Sequence, residues 1–352
     1  MLLGSVLGVY AFSRWMQSEA HAGGKRSRFW PCRAAVVAWA GVTLAVLLKL
    51  PALYLGLPLL GLAIERHGAA AFRRGSLWLF AGAVVVPVAL WYWHAHQLLL
   101  HGGVTFEIWG FGTDKWGNFG LLGSPSFYND VFFKSIAERH LTWAGFVPFV
   151  VGLCLPRRDR KEALFDWWLL AVLVYILIVA RGNQVHEYYQ LPIMLPAAVF
   201  AGKAFARYWP SERAAFAARP FVRGLFPLLL VGFCVLSGLR LRVLWGREDS
   251  ASPLFHLAAT VQDTTTPGAL VVAVSEGNPI VLYRCDRKGW NSSPDDLTPS
   301  FLAEKQRRGA RYVVGEKSYF RGDARRARLQ ELLRTTDVIV DDPDYFVARL
   351  LP

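Results

Sequence analysis

Apolar residues gather in eight blocks over the first 245 residues: 1–13, 34–48, 50–64, 76–96, 141–155, 164–180, 187–202 and 224–239. The longer blocks approach the roughly 20 residues a helix needs to cross a bilayer. The 34–64 stretch is interrupted at Lys49-Leu50-Pro51. Proline lacks a helix donor and disfavours helix in the residue before it. Two arms are predicted there, each shorter than a full span. After Trp245 the pattern changes. Residues 251–264 read as a helix started by Ser252 and Pro253. Residues 269–274 read as a buried strand, 299–308 as a helix, 311–314 as a strand and 324–334 as a basic helix. Residues 337–340 and 345–348 complete the strands. Such alternation predicts a small α/β layer.

Charge divides the chain at the same place. Residues 1–245 carry 24 Lys/Arg against 11 Asp/Glu, and residues 246–352 carry 15 against 15. The net charge of +13 therefore lies wholly in the apolar part. Nucleic-acid binding wants a basic face on a folded soluble domain, and the soluble part is balanced. The stretches 14–33, 65–75, 156–163 and 203–223 hold 17 Lys/Arg and 5 Asp/Glu, whereas 97–140 holds three and four. Basic loops resist translocation. The expected topology puts those four stretches in the cytoplasm, and 97–140, the 181–190 turn and the C-terminal domain on the opposite side. The first block would then start outside. It has no basic stretch ahead of it, and Met1 reads as a start inside a longer frame. The predicted fold is a polytopic α-helical membrane domain, 1–245, with about seven to eight helical segments. A small extracytoplasmic α/β domain, 246–352, follows it. The expected location is the inner (plasma) membrane.

Of Cys32, Cys154, Cys234 and Cys285, only the last lies in the soluble part, so no disulfide can form within it. There is no CxxC metal pattern, no G-x-G-x-x-G and no P-loop.

Candidate chemistry concentrates in 181–192. Arg181, His186, Glu187, Tyr188 and Tyr189 crowd the end of an apolar block, where ionisable groups need partners or a substrate. Arginine suits phosphate through paired donors, and tyrosine stacks on sugar faces or lines a prenyl chain. An interfacial aromatic belt with an Arg181–Glu187 pair is the plain alternative. Lys49, between Leu48 and Leu50, should face a cavity or an anion rather than lipid, or else snorkel to the headgroups. The 97–140 loop interleaves Glu107, Asp114 and Lys115 with Trp109, Trp116, Phe127 and Tyr128. It reads as a covering loop, with Glu107 and Asp114 as its testable acids. His94, His96 and His101 have no Asp or Cys close by in sequence, and no metal site is assigned. The stretch 287–290 reads as a basic, aromatic turn after Tyr283.

At these residues the chain resembles the GT-C glycosyltransferases, specifically the family 39, dolichyl-phosphate-mannose–protein mannosyltransferase-like group. The resemblance rests, in order, on Leu48-Lys49-Leu50-Pro51, on Pro87 to Trp91-Tyr92, on His186-Glu187-Tyr188-Tyr189-Gln190-Leu191-Pro192 running into Pro196, and on Tyr283 with Arg287-Lys288-Gly289-Trp290. It implies transfer of a sugar from a polyprenyl-phosphate carrier to an extracytoplasmic acceptor. The displacement would invert the anomeric carbon, often with a divalent metal. On that reading His186 and Glu187 are catalytic, and Lys49, Arg181, Tyr188, Tyr189 and Glu107 bind substrate. The bilayer and the lipid-linked sugar are the partners. The resemblance also implies an acidic motif in a first outer loop, which this sequence lacks. The chain therefore reads as the C-terminal portion of such an enzyme, inactive alone. A transporter or flippase of lipid-linked saccharides, or a non-catalytic membrane scaffold, stands beside that reading.

Overall fold

The structure, a computed structural model, describes residues 1–21, 32–102, 115–209, 220–245 and 252–351. Two compact units divide the chain, Met1–Leu241 and Arg242–Pro352.

The first unit is helical. Its principal helices are α1 (Leu2–His21), α2 (Arg33–Leu48), α3 (Gly56–His67), α4 (Gly75–Gly102), α5 (Thr142–Cys154), α6 (Ala163–Ile178) and α7 (Met194–Tyr208); α8 (Pro220–Trp245) follows. The first block is thus a 20-residue helix, longer than its apolar stretch. Gly4 and Gly8 stand four apart on α1 and meet Gly41 of α2. A Cβ on Gly8 would sit 2.7 Å from Val42 Cγ2 and 2.9 Å from Val42 N, and one on Gly41 would sit 2.8 Å from Gly8 N. Small residues at that spacing let helix backbones approach closely, the usual means of association where lipid supplies no hydrophobic drive. Helix α6 is central. Trp168, Ala171, Val172, Tyr175 and Ile176 are buried, the i, i+3, i+4, i+7, i+8 stripe of a helix with one core face.

Among the described residues two helices, over Gly75–Leu98 and Gly224–Arg242, are long and apolar enough to cross a membrane, and α2 and α5 are shorter apolar helices. Only 11% and 6% of the two long windows are buried. A soluble protein's core helix would be mostly buried, so these faces suit lipid.

The stretch 97–140, expected as a covering loop, is helical over most of its described part. α4 runs on to Gly102, and Phe119–Leu122, Pro125–Tyr128 and a π-type helix over Asn129–His140 follow. Phe127, Val131, Ile136 and Ala137 are buried in the core. Four apolar anchors override a composition that reads as loop.

The second unit is a five-stranded sheet in the order β2-β1-β3-β5-β4. Its elements are α9 (Pro253–Thr264), β1 (Leu270–Val274), α10 (Ile280–Arg284), β2 (Lys288–Ser292), α11 (Pro299–Arg307), β3 (Ala310–Glu316), α12 (Asp323–Thr335), β4 (Asp337–Asp341) and β5 (Tyr345–Arg349). β1 pairs in parallel with β2 and β3, and β5 runs antiparallel between β3 and β4. Strand alternation divides the core. Val271 and Ala273 join Leu257, Val281 and Cys285 on one face, while Val272 and Val274 join Leu297, Phe320 and Leu332 on the other. The basic stretch 287–290 is a correction to the expected turn, since Lys288–Ser292 is an edge strand. A Cβ on Gly289 would lie 1.8 Å from Val271 O, so this glycine lets the edge strand approach β1. Arg287 donates to Thr265 Oγ1 at 3.0 Å and to the carbonyls of Thr265 and Gln262 at 3.1 and 3.3 Å. Its charge serves the end of α9.

Candidate functional site

The site forms where three chain breaks meet. α2 ends at Leu48, Lys49 is extended (φ −155°, ψ 115°), and a 3-10 helix over Leu50–Leu55 begins with Pro51 near its start. α6 ends at Val179 (φ −102°, ψ 43°), and a short helix, Ala180–Val185, follows. His186 is extended again, and a 3-10 helix over Glu187–Ile193 leads into α7. The third break is the strap after Lys115. Gly117 donates its N–H to Ile178 O at 2.8 Å, satisfying a carbonyl that the end of α6 would leave open.

These breaks gather the cluster. Tyr188 and Tyr189 stack with ring centroids 5.0 Å apart, and His186 lies 5.3 and 5.7 Å from the two rings. The Lys49 ammonium sits 4.0 Å from the Tyr188 centroid and 4.5 Å from that of Tyr189. Lys115 reaches the same shelf, with Nζ 3.4 Å from Tyr189 Oη and 5.7 Å from its ring. Each cation–ring contact is worth about 0.5–2 kcal/mol, according to how dry it is. Partial burial, and then the nearby Lys115 charge, hold the Lys49 ammonium below the usual lysine range. Two cations converge on one aromatic shelf, an arrangement that an anion would relieve.

Lys49, His186, Tyr188 and Tyr189, all expected in a site from sequence, are thus together. Arg181 joins a neighbouring chain instead. Its Nη1 donates to Gln184 Oε1 at 3.3 Å, and Gln184 Nε2 donates to Asp130 Oδ2 at 3.3 Å. Hydrogen bonds first from Lys134 and then from Gln184 hold Asp130 below the usual carboxylate range. Glu187 pairs with Arg139 at 2.8 Å, and not with Arg181 as the plain alternative had it. Both partners are more than half exposed, and such pairs contribute about 0–1 kcal/mol. Glu187 O also meets His140 Nε2 at 3.0 Å. A shallow cleft of about 370 Å³ lies here, lined by Arg139, His140, Glu187, Tyr188, Leu191 and Arg240. Glu107 and Asp114 lie outside the described residues. Lys115 escaped notice as a site residue because its partner is 74 positions away, and nothing local in the sequence marks it. Among the described residues no three His, Cys, Asp or Glu side chains are placed to hold a metal ion.

No family model matches the sequence, and no curated protein matches it significantly. Solved structures do. The fold of the chain is similar to that of solved ArnT structures. The similar structures include ArnT from Cupriavidus metallidurans in the apo state, at 16% identity and a TM-score of 0.56. They also include the same protein bound to undecaprenyl phosphate, at 14% and 0.53. Each comparison covers 100% of this chain and 83% of the other.

Proposed function

We propose that this chain is a membrane glycosyltransferase that takes its sugar from a polyprenyl-phosphate carrier. The observation that carries this reading is the convergence of Lys49 and Lys115 on the Tyr188–Tyr189 shelf. The fold supports it, because one ArnT structure of this fold holds undecaprenyl phosphate. As the bond from the sugar to the carrier breaks, negative charge gathers on the leaving phosphate. Fixed cations stabilise that charge without reorganising. Lys49 and Lys115 take this role. The tyrosine faces support the sugar or the first prenyl unit. Glu187, next to the shelf in sequence and paired with Arg139, and His186 beside the rings are the proposed catalytic residues. The chemistry is an inverting displacement at the anomeric carbon, as in the dolichyl-phosphate-mannose-dependent group that the sequence resembles. The protein sits in the inner membrane as a multi-pass chain, with its α/β unit on the extracytoplasmic side.

The test compares undecaprenyl phosphate with undecaprenol for binding to the purified chain in detergent. The phosphate form should bind more tightly. Losing one charged contact to phosphate costs about 1.5–3 kcal/mol, or about ten- to a hundred-fold in affinity. Lys49→Ala and Lys115→Ala should each remove that much of the preference. Equal binding of the two lipids, or unchanged affinity in both variants, overturns the assignment.

A further inference from the structure

Beneath the tyrosine shelf lies a set of buried polar side chains that touch neither cation. Tyr175 on α6, Asn183 on the short helix and Gln190 on the 3-10 helix are all buried, the last two to 0% and 1% exposure. Tyr175 Oη donates to Tyr189 O at 3.1 Å. Gln190 Nε2 donates to Asn183 O at 2.7 Å. Asn183 Nδ2 donates to Val179 O at 2.9 Å. These bonds bridge each break between α6 and α7. They fix the backbone at residue 189 and, through its neighbour Gln190, the register of the whole 187–193 turn.

The arrangement is costly. Asn183 Oδ1 and Gln190 Oε1 are buried with no hydrogen-bond partner from the protein itself. Buried polar atoms nearly always have one, and leaving one unmade costs free energy. Apolar side chains of the same volume would fill this place without that cost. Two amides with orphaned oxygens are explained if what matters is the bonds their nitrogens make, which set where Tyr188 and Tyr189 stand.

We propose that Tyr175, Asn183 and Gln190 are positioning residues for the carrier-phosphate site. They hold the two rings against Lys49 and Lys115, and so keep the cations converged. This rests on the carrier reading above. Tyr175 supplies the shortest link, a single hydroxyl between the central helix and the shelf. Tyr175→Phe removes that hydroxyl and keeps the ring. Gln190→Met removes the second link at nearly constant volume.

The experiment is a double-mutant cycle on undecaprenyl phosphate affinity, measured by equilibrium binding to the purified full-length chain. Tyr175→Phe and Gln190→Met should each weaken binding by about three- to ten-fold, the scale of one lost hydrogen bond. In a Lys49→Ala background the same substitutions should weaken it hardly further, because residues acting through one another are not additive. A merely structural role would give the same fold loss in both backgrounds. Wild-type affinity in both single variants, or losses that multiply fully with Lys49→Ala, overturns the positioning role while leaving the carrier site standing. Wild-type affinity in both Lys49→Ala and Lys115→Ala overturns the carrier reading, and the positioning role with it.

Discussion

A lysine sheltered by two phenol rings keeps its charge only against resistance. Burial removes water from the Lys49 ammonium, and Lys115 adds a like charge nearby, and both favour the neutral amine. The faces of Tyr188 and Tyr189 push the other way. Carrier binding through Lys49 needs the ammonium. It should therefore be fully present at low and neutral pH and be lost as pH rises through the lowered Lys49 value, earlier than an ordinary lysine would allow. Lys115→Ala removes the repulsion, so the alkaline fall should move to higher pH even as overall affinity drops. Binding of undecaprenyl phosphate across pH 7 to 11, read for wild type and Lys115→Ala, checks the direction. An alkaline limb that moves to lower pH in Lys115→Ala contradicts it. Lys49 was legible in the sequence because a cation inside an apolar run is anomalous wherever it falls. Lys115 was not, because a lysine in a mixed polar stretch is ordinary until folding brings it to a tyrosine far along the chain.

At the scale of elements, the hydrophobic pattern carried most of the helices. α2, α5 and α6 fall on blocks visible in the sequence, since lipid-facing and core-facing positions are both apolar and the blocks stand out from basic loops. The strands β1, β3, β4 and β5 were legible for a related reason: short runs rich in valine between turn residues read as buried strands. Elements built on few apolar residues were missed. The π-type helix over Asn129–His140 has charged and polar residues between its anchors, and β2 has a glycine at its second position and two polar residues at its end. The pairing of α1 with α2 was also hidden, because a Gly-x-x-x-Gly spacing states that something comes close without stating what. That pairing is open to a direct test. Gly8→Leu drives a branched side chain into Val42 and the α2 backbone, and overpacking of this kind costs about 1–3 kcal/mol. Gly56, in contrast, has open space where a Cβ would go. In thermal unfolding monitored in detergent, Gly8→Leu should melt several degrees lower (on the order of the shift that a loss of that size produces), whereas Gly56→Ala should leave the midpoint nearly unchanged. Equal midpoints for Gly8→Leu and wild type would show that α1 is not held at this contact.

For the whole molecule, charge placement is the argument that spans both units. The basic excess is confined to the apolar part, and within it lies almost wholly in the four stretches 14–33, 65–75, 156–163 and 203–223. The translocation cost of Lys and Arg is the basis of the proposed topology, in which those stretches stay in the cytoplasm and residues 246–352 are extracytoplasmic. Exposed positions allow this to be measured in intact cells. Ser126→Cys and Ser300→Cys should react with a membrane-impermeant maleimide from outside, and Arg160→Cys should react only after lysis. The native thiols must first be silent. Cys32, Cys154 and Cys234 are exposed and need replacement by serine. Cys285 is buried, and burial pushes its thiol up to about 12, so it stays protonated and unreactive at neutral pH. It can remain in place as a part of the core between α9 and the sheet. Labelling of Arg160→Cys from outside together with protection of Ser126→Cys would invert the topology. The Lys49–Lys115 cluster would then face the cytoplasm, where an extracytoplasmic acceptor cannot reach it. Labelling of Ser126→Cys without Ser300→Cys would instead set residues 126 and 300 on opposite sides of the membrane, and would require an odd number of crossings between them.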